Sequence, residues 1–494
     1  MGQGSVGAEV RRSGGGPVRG GSDPETFAPG FTPASAWATL LVMTLGMLAS
    51  AINATTMNTL LTVIMDEFGV SPATVQWLTT SYMLCLGVIT PLTGHLITRC
   101  HVRNLFCAGL AIFTTGALLG AVQHNFAVLV AARCVQAIGS GITIPTLQIM
   151  TLYIFPYHKR GVASGVTMST TGVAPAAGPV VAGALSDTIG WRSIFVITAV
   201  LALASLVASR ALLRRVDDHP TRERLDKPSF ALSTAAATCL VFFCSNLGSL
   251  GPLSPYTLAP LAAGVALLAA FAHRELRVDV PLLDLRSLRC RPFAMVCVAV
   301  IFTQGYILAI NGLVCIYVQD VQGVSATLSG LTMLPGAVLS MAVAPFAGRL
   351  LDHHGPRGVV TVGFALVILG TWLLSTIDVS TPLWQPTLYQ TVRFTGMSCL
   401  QQILSTWGIN QLGDLTQGTA MCNSVRQIGG SATNSLFFST MDLFMAAGGG
   451  TTAAEGVAIT DTFVTMNVTQ LVLAAFVLGQ MYLSPKMRAA SRRA

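Results

Sequence analysis

The sequence predicts an all-α polytopic membrane protein with 14 transmembrane helices: two six-helix halves with inverted repeats plus an inserted helix pair. Three observations predict it. Of 494 residues, 52% are hydrophobic and only 10% charged, whereas soluble domains carry about 25% charged residues. Apolar windows of about 20 residues, the length that crosses the hydrocarbon, recur fourteen times. The stretch GHLITRCHVR (Gly94 to Arg103) returns as GRLLDHHGPR (Gly348 to Arg357), with Gly, Leu and Arg at equal offsets, which marks two related halves.

Residues 1–35 are rich in Gly, Ser and Pro without an apolar core, and are expected to form a disordered cytoplasmic tail instead of a signal peptide. The first half, 36–212, holds spans near 36–58, 76–97, 104–123, 126–150, 161–186 and 193–212. Residues 213–291 supply cytoplasmic linkers and the inserted pair, near 229–249 and 256–273. The second half, 292–485, holds spans near 292–317, 325–348, 358–376, 386–410, 422–446 and 465–484, and 486–494 is a basic tail. Paired halves of this kind build a midplane site that rocks between two openings.

Lys and Arg are retained on the cytoplasmic side of membrane proteins. With the N-terminus inside, the inner segments collect nearly every basic residue, and the outer loops hold only Arg192. Both termini are therefore expected in the cytoplasm of a plasma-membrane protein. Trp77, Trp191 and Trp384 fall at the outer interface and Trp37 at the inner one. The net charge of +8 reflects this asymmetry and contact with anionic lipid, without nucleic acid. The eleven cysteines lie in spans or on the inner side, where thiols stay reduced and pack as small apolar residues. Phosphate-loop motifs, paired catalytic carboxylates and metal-ligand spacings are missing, which argues against an enzyme, ATP and any cofactor or metal. The expected partner is a small-molecule substrate, handled by a monomer.

The stretch TGVAPAAGPVVAG (Thr171 to Gly183) places two prolines and three glycines inside an apolar span. RCVQAIGSG (Arg133 to Gly141), GWRSIF (Gly190 to Phe195), PLLDLRSLRCRPF (Pro281 to Phe293), YVQDVQGVSATLSGLTMLPG (Tyr317 to Gly336) and SVRQIGG (Ser424 to Gly430) flank it along the chain. In this order, with GRLLDHHGPR, they resemble the fourteen-span drug:proton antiporter branch of the major facilitator superfamily. The resemblance implies proton-linked efflux of amphipathic organic compounds by alternating access.

It implies roles as well. Gly172, Pro175, Gly178, Pro179 and Gly183 are expected to form an antiporter helix that packs on its counterpart in the other half and restricts leak. Gly94, Arg99, Arg103, Gly348, Asp352, Gly355 and Arg357 are expected to form the conformational gate turns. Arg133 is expected in proton relay, about 10 Å into the hydrocarbon, where an arginine costs at least about 2.5 kcal/mol unless it faces a cavity or a partner. An alternative makes it structural, bonding carbonyls of the bent fifth helix, with Ala137, Gly141 and Pro145 opening space on that side. Asn53, Asn58, Gln136 and Arg393 are the expected cavity residues. Arg426 is expected to snorkel from its helix end.

Two departures stand out. Asn53 occupies the place of a usual Asp, and Thr98 and His101 replace Asp and Gly in the first turn. No carboxylate falls at mid-span, so Asp320 and Asp442, at outer helix ends, are the expected proton carriers. A carboxylate restored at position 53 is expected to favour cationic substrates and to steepen pH dependence. An exporter or facilitator of a neutral or anionic metabolite, and a non-transporting sensor or scaffold, remain open alternatives.

Overall fold

The computed structural model describes residues 27, 31–213, 226–251, 254–278, 283, 285–354, 356–378, 380–409, 411–412, 415–447 and 452–483. Among them fourteen long helices follow the predicted spans: α1 Pro33–Phe68, α2 Trp77–Arg99, α3 Val102–Val122, α4 Phe126–Ile154, α5 Tyr157–Thr188, α6 Arg192–Leu212, α7 Lys227–Leu250, α8 Pro255–Glu275, α9 Arg291–Ile316, α10 Ala326–His354, α11 Pro356–Leu374, α12 Trp384–Ile409, α13 Leu415–Ala447 and α14 Thr452–Leu483. The end of the bundle at which α1 finishes is the outer end, the side expected outside the cell from the charge asymmetry.

Local chemistry sets the ends of α1. The Thr32 hydroxyl accepts from the Ser35 N–H at 3.2 Å while Ser35 Oγ accepts from the Thr32 N–H at 2.9 Å, a reciprocal cap. Pro33 opens the first turn, where its missing N–H costs nothing. The helix stops at Gly69, which takes φ 61° and returns its N–H to the Met65 carbonyl. Between these signals 36 residues run unbroken, about 54 Å at 1.5 Å per residue. The helix thus continues beyond the predicted end at 58, because nothing between Thr59 and Phe68 breaks it. α13 and α14 likewise begin earlier than predicted, on polar turns that a hydropathy window does not register.

Among the described residues, eleven helices are long and apolar enough by composition to cross a bilayer. α12 and α13 dilute their apolar surface with Gln390, Arg393, Gln401, Asn423, Arg426 and Asn434, and these side chains face other helices instead of lipid. Buried apolar side chains gather in separate clusters. One fills the second half around Phe293, Trp407 and Phe438, and another fills the inner part of the first half around Met47, Phe106 and Phe155. All eleven cysteines are free.

The halves meet along two seams, α5 against α10 and α2 against α13. Each seam joins the fifth helix of one half to the second helix of the other, as a two-fold relation between halves requires. The inserted pair α7–α8 packs beside the second seam. Phe242 of α7 stacks on Trp77 of α2 at 4.7 Å, Ala237 and Val241 share a cluster with Leu84, Val88, Ile428 and Ala432, and Ser439 of α13 donates to the Cys244 carbonyl at 2.7 Å. Asp226 closes the inner end of the pair through two 2.8 Å bonds from Arg274.

One predicted interface position is corrected. Trp191 stands at the outer end but turns inward, 3% exposed, packed between Phe68 and Phe195. Its Nε1 donates to Glu67 at 2.5 Å, and Arg192 pairs with the same carboxylate at 2.6 Å. That pairing accounts for the lone basic residue of the outer loops.

Candidate functional site

Asn125 caps α4 by accepting the Ala127 N–H at 2.8 Å, and Arg133 follows two turns later, completely buried. The guanidinium lies over the Tyr82 ring, 4.3 Å from its centroid, and Tyr82 in turn donates to Ser140 at 2.8 Å. Nη1 donates to the amide oxygens of Asn53 and, at 3.0 Å, Gln136. Longer bonds reach the carbonyls of Leu78 at 3.3 Å and Asn53 at 3.4 Å. Asn53 is held by donating to Thr198 of α6 at 3.3 Å.

The carbonyls that Arg133 reaches belong to α1 and α2, so the expected bonds to the fifth helix are corrected. The small-residue stripe of α4 also faces α2, since a side chain added at Gly141 would meet Ile89 and Leu86. Gln136, an expected cavity residue, accepts from Arg133 through its amide oxygen. Asn58 is buried, with no donor to its Oδ1 among the described residues.

Arg393 repeats this arrangement in the second half. It is also completely buried, on α12, and donates through Nε to Gln390 at 2.6 Å and through Nη2 to Asn311 of α9 at 2.5 Å. Its guanidinium lies 4.7 Å from the Phe394 ring centre. Each half therefore carries an arginine on its fourth helix, a glutamine three residues away and an asparagine on its first helix. A sequence signal existed for this: Arg133–Gln136 and Gln390–Arg393 share a spacing, and Asn53 and Asn311 each stand twenty residues after their helix starts.

Arg426 is no helix-end residue, because α13 begins at Leu415 and the side chain is half-buried, donating to Asn423 at 3.0 Å. Snorkelling does not describe it. Beside it Gln401 donates to Gln304 at 2.6 Å, adding a polar contact between α12 and α9.

The antiporter helix uses two faces, not one. Thr55 of α1 donates to the Ala174 carbonyl at 3.1 Å, and a side chain at Gly178 would collide with Thr55, so this face belongs within the first half. The face toward the second half holds Pro179 and Gly183. A side chain at Gly183 would strike the backbone of Ala326 and Thr327, and one at Gly330 the backbone of Pro179. The partner is α10, the second helix of the second half, where the counterpart, its fifth helix, was expected.

Among the described residues, cross-half hydrogen bonds gather toward the outer end. Thr62 donates to Gln319, whose amide donates to the Thr59 carbonyl and to Ser329, both at 3.1 Å. Thr327 donates to Asp187 from its backbone at 2.9 Å, and Thr80 meets Ser435 at 3.0 Å. Asp320 sits next to Gln319 in the turn Tyr317–Val321, within electrostatic reach of Asp66 and Glu455. Asp442 lies half-buried near the outer end of α13.

Of the gate turns, Arg103 donates to the Arg210 carbonyl at 2.7 Å, capping the last turn of α6, and Arg357 lies 5.6 Å from the Tyr482 ring centre. Arg99 is half-buried at the end of α2. Gly355 lies outside the described residues, and for Gly94, Gly172, Pro175, Gly348 and Asp352 only the helical backbone is described.

Residues 43–434 match the family model of the Major Facilitator Superfamily. The chain is 34% identical over 421 residues to YcnB of Bacillus subtilis, an uncharacterized MFS-type transporter, covering 85% of this chain and 89% of that protein. It is 33% identical over 391 residues to the lincomycin resistance protein LmrB of Bacillus subtilis, covering 78% and 81% of the two chains. It is 31% identical over 358 residues to the tetracenomycin C resistance and export protein of Streptomyces glaucescens, covering 70% and 65%. The fold resembles the crystal structure of a peptide transporter POT in complex with sulfate, with TM-score 0.67, 15% identity and 92% of this chain covering 95% of that one.

Proposed function

Because the chain belongs to the major facilitator superfamily, we propose that it is a secondary transporter exporting amphipathic organic compounds by alternating access, as a monomer in the plasma membrane with both termini inside. The observation that carries this reading is the closed outer end. Gln319, in the turn that follows α9, ties that turn to α1, Thr327 ties α10 to α5, and Gly183 and Gly330 let the α5 and α10 backbones touch there. A bundle closed at one end by a handful of polar bonds and glycine contacts has an obvious second state. Breaking those bonds and rocking the halves about the α5/α10 and α2/α13 seams opens the outer end and closes the inner one. The resistance and export relatives support the outward direction.

Coupling to protons rests on the outer acids. Asp320, Asp66 and Glu455 repel one another beside Gln319, so taking up a proton favours the closed gate and losing it favours the open one. Asp442 is the second candidate carrier. Reconstituted protein is tested with lincomycin and a panel of cationic, neutral and anionic amphipathic compounds under an imposed pH gradient. Gradient-driven movement that Asp320→Asn or Asp442→Asn abolishes supports the proposal. Correctly inserted protein that moves no compound favours the sensor or scaffold reading instead.

A further inference from the structure

Arg133 and Arg393 are both completely buried, and the groups that bond them among the described residues are neutral. Among the described residues the ion pairs are Glu67–Arg192 and Asp226–Arg274, both near helix ends and away from these two guanidinium groups. Their acceptors are amide and carbonyl oxygens, from Asn53, Gln136 and Leu78 in one half and from Gln390 and Asn311 in the other.

The donors outnumber those acceptors. Arg133 Nη2, Gln136 Nε2, Arg393 Nη1 and Gln390 Nε2 are all buried without an acceptor among the described residues. A structural arginine saturates its fixed fork on carbonyls; these two do not. Buried charge with spare N–H groups is costly until an acceptor arrives. Its complement is a group that accepts hydrogen bonds and carries negative charge, the chemistry of a carboxylate. A cation brought to either guanidinium would be repelled by it.

The two clusters border one zone between the halves. Tyr82, which carries the Arg133 guanidinium, packs in a cluster with Ala137 and with Leu308 of α9. Leu308 stands one turn before Asn311, the partner of Arg393. A substrate lying between α1 and α9 thus has a guanidinium on either side.

We propose that the transported compound bears a carboxylate or equivalent anion, which the guanidinium groups of Arg133 and Arg393 hold by displacing the amide oxygens of Asn53 and Asn311. This rests on the transport reading and names its substrate class.

The test uses three probes sharing one fluorophore: dansylglycine, a carboxylate; dansylglycinamide, neutral; and dansylcadaverine, a cation. Binding is titrated on the full-length protein in nanodiscs, corrected for empty discs. Dansylglycine should bind at least tenfold tighter than either of the others. Arg133→Gln and Arg393→Gln should each collapse that preference, and Arg133→Lys should restore part of it. Equal binding of all three probes by the parent, or tightest binding of dansylcadaverine, overturns the proposal without any variant needing to fold. Uptake into proteoliposomes separates the two readings. Carboxylate-selective binding without uptake of any probe removes transport and leaves the anion site. Uptake of the amide or the amine in preference to the carboxylate removes the anion site and leaves transport.

Discussion

Replacing Asn53 by aspartate changes one atom and adds one charge at the point where Arg133 already bonds. The substitution is isosteric and leaves the Arg133–Gln136 bond in place, but the amide N–H that donates to Thr198 is lost, so the Thr198 hydroxyl must turn from the Ile194 carbonyl to donate to the new carboxylate. A hydrogen bond to a charged group contributes about 1.5–3 kcal/mol, against about 0.5–1.5 for a neutral pair. The folded state of Asn53→Asp should therefore gain on the order of 1 kcal/mol, reduced by the cost of burying a carboxylate. The same gain is lost when a substrate anion must displace residue 53. At about 1.4 kcal/mol per factor of ten, dansylglycine should bind Asn53→Asp several-fold to tenfold more weakly than the parent. Thermal melting and probe titration in nanodiscs measure both quantities. Unchanged or tighter dansylglycine binding would refute the reasoning. The expectation that this change favours cations and steepens pH dependence is revised, because an aspartate paired with Arg133 leaves no free charge for a cation or a proton.

Gly183→Leu drives a side chain into the Ala326–Thr327 backbone and should abolish probe uptake at normal membrane abundance. Gly178→Leu acts within the first half, against Thr55, and should instead lower the melting temperature, overpacking costing about 1–3 kcal/mol. Cysteines introduced in place of Thr62 and Gln319 should cross-link in the resting protein if the outer end is closed, and lose cross-linking when substrate is carried. The Arg274 guanidinium bonded to Asp226 holds that carboxyl below its usual range, opposed by desolvation and aided by Ser229. A depressed folded value means stabilisation that is complete above about pH 4, the unfolded value, and lost as pH falls through the folded one. Asp226→Asn should therefore lower the melting temperature at pH 7 and make no difference under strongly acid conditions; a difference that persists there contradicts the assignment.

The helix count was legible because lipid demands a long apolar run from each span, and even α12 and α13, which dilute it with polar side chains, keep enough apolar residues to be seen. Helix ends were less legible. α1 runs past its predicted end and α14 starts before its predicted start, because helical hydrogen bonding continues wherever no breaker interrupts it. The importance of Arg133 followed from the cost of its depth, yet its partner did not: Asn53 lies 80 residues away and is neutral, so no charge complementarity pointed to it. The two faces of α5 were hidden for a related reason. Glycines spaced around a helix show that neighbours come close without showing which neighbour takes which side.

The position of α7 across the α2/α13 seam also dictates an order of assembly. Its docking surface is made by Trp77, Leu84 and Val88 from a helix synthesised long before it, and by Ile428, Ala432 and Ser439 from one synthesised long after. When α7 leaves the ribosome, half of its groove does not yet exist. The pair α7–α8 must wait in the bilayer against α2 alone, with the Asp226–Arg274 clasp holding its two helices together. A segment midway along the chain is thus among the last to reach its final neighbours, and biogenesis rather than transport is where its loss would first be felt.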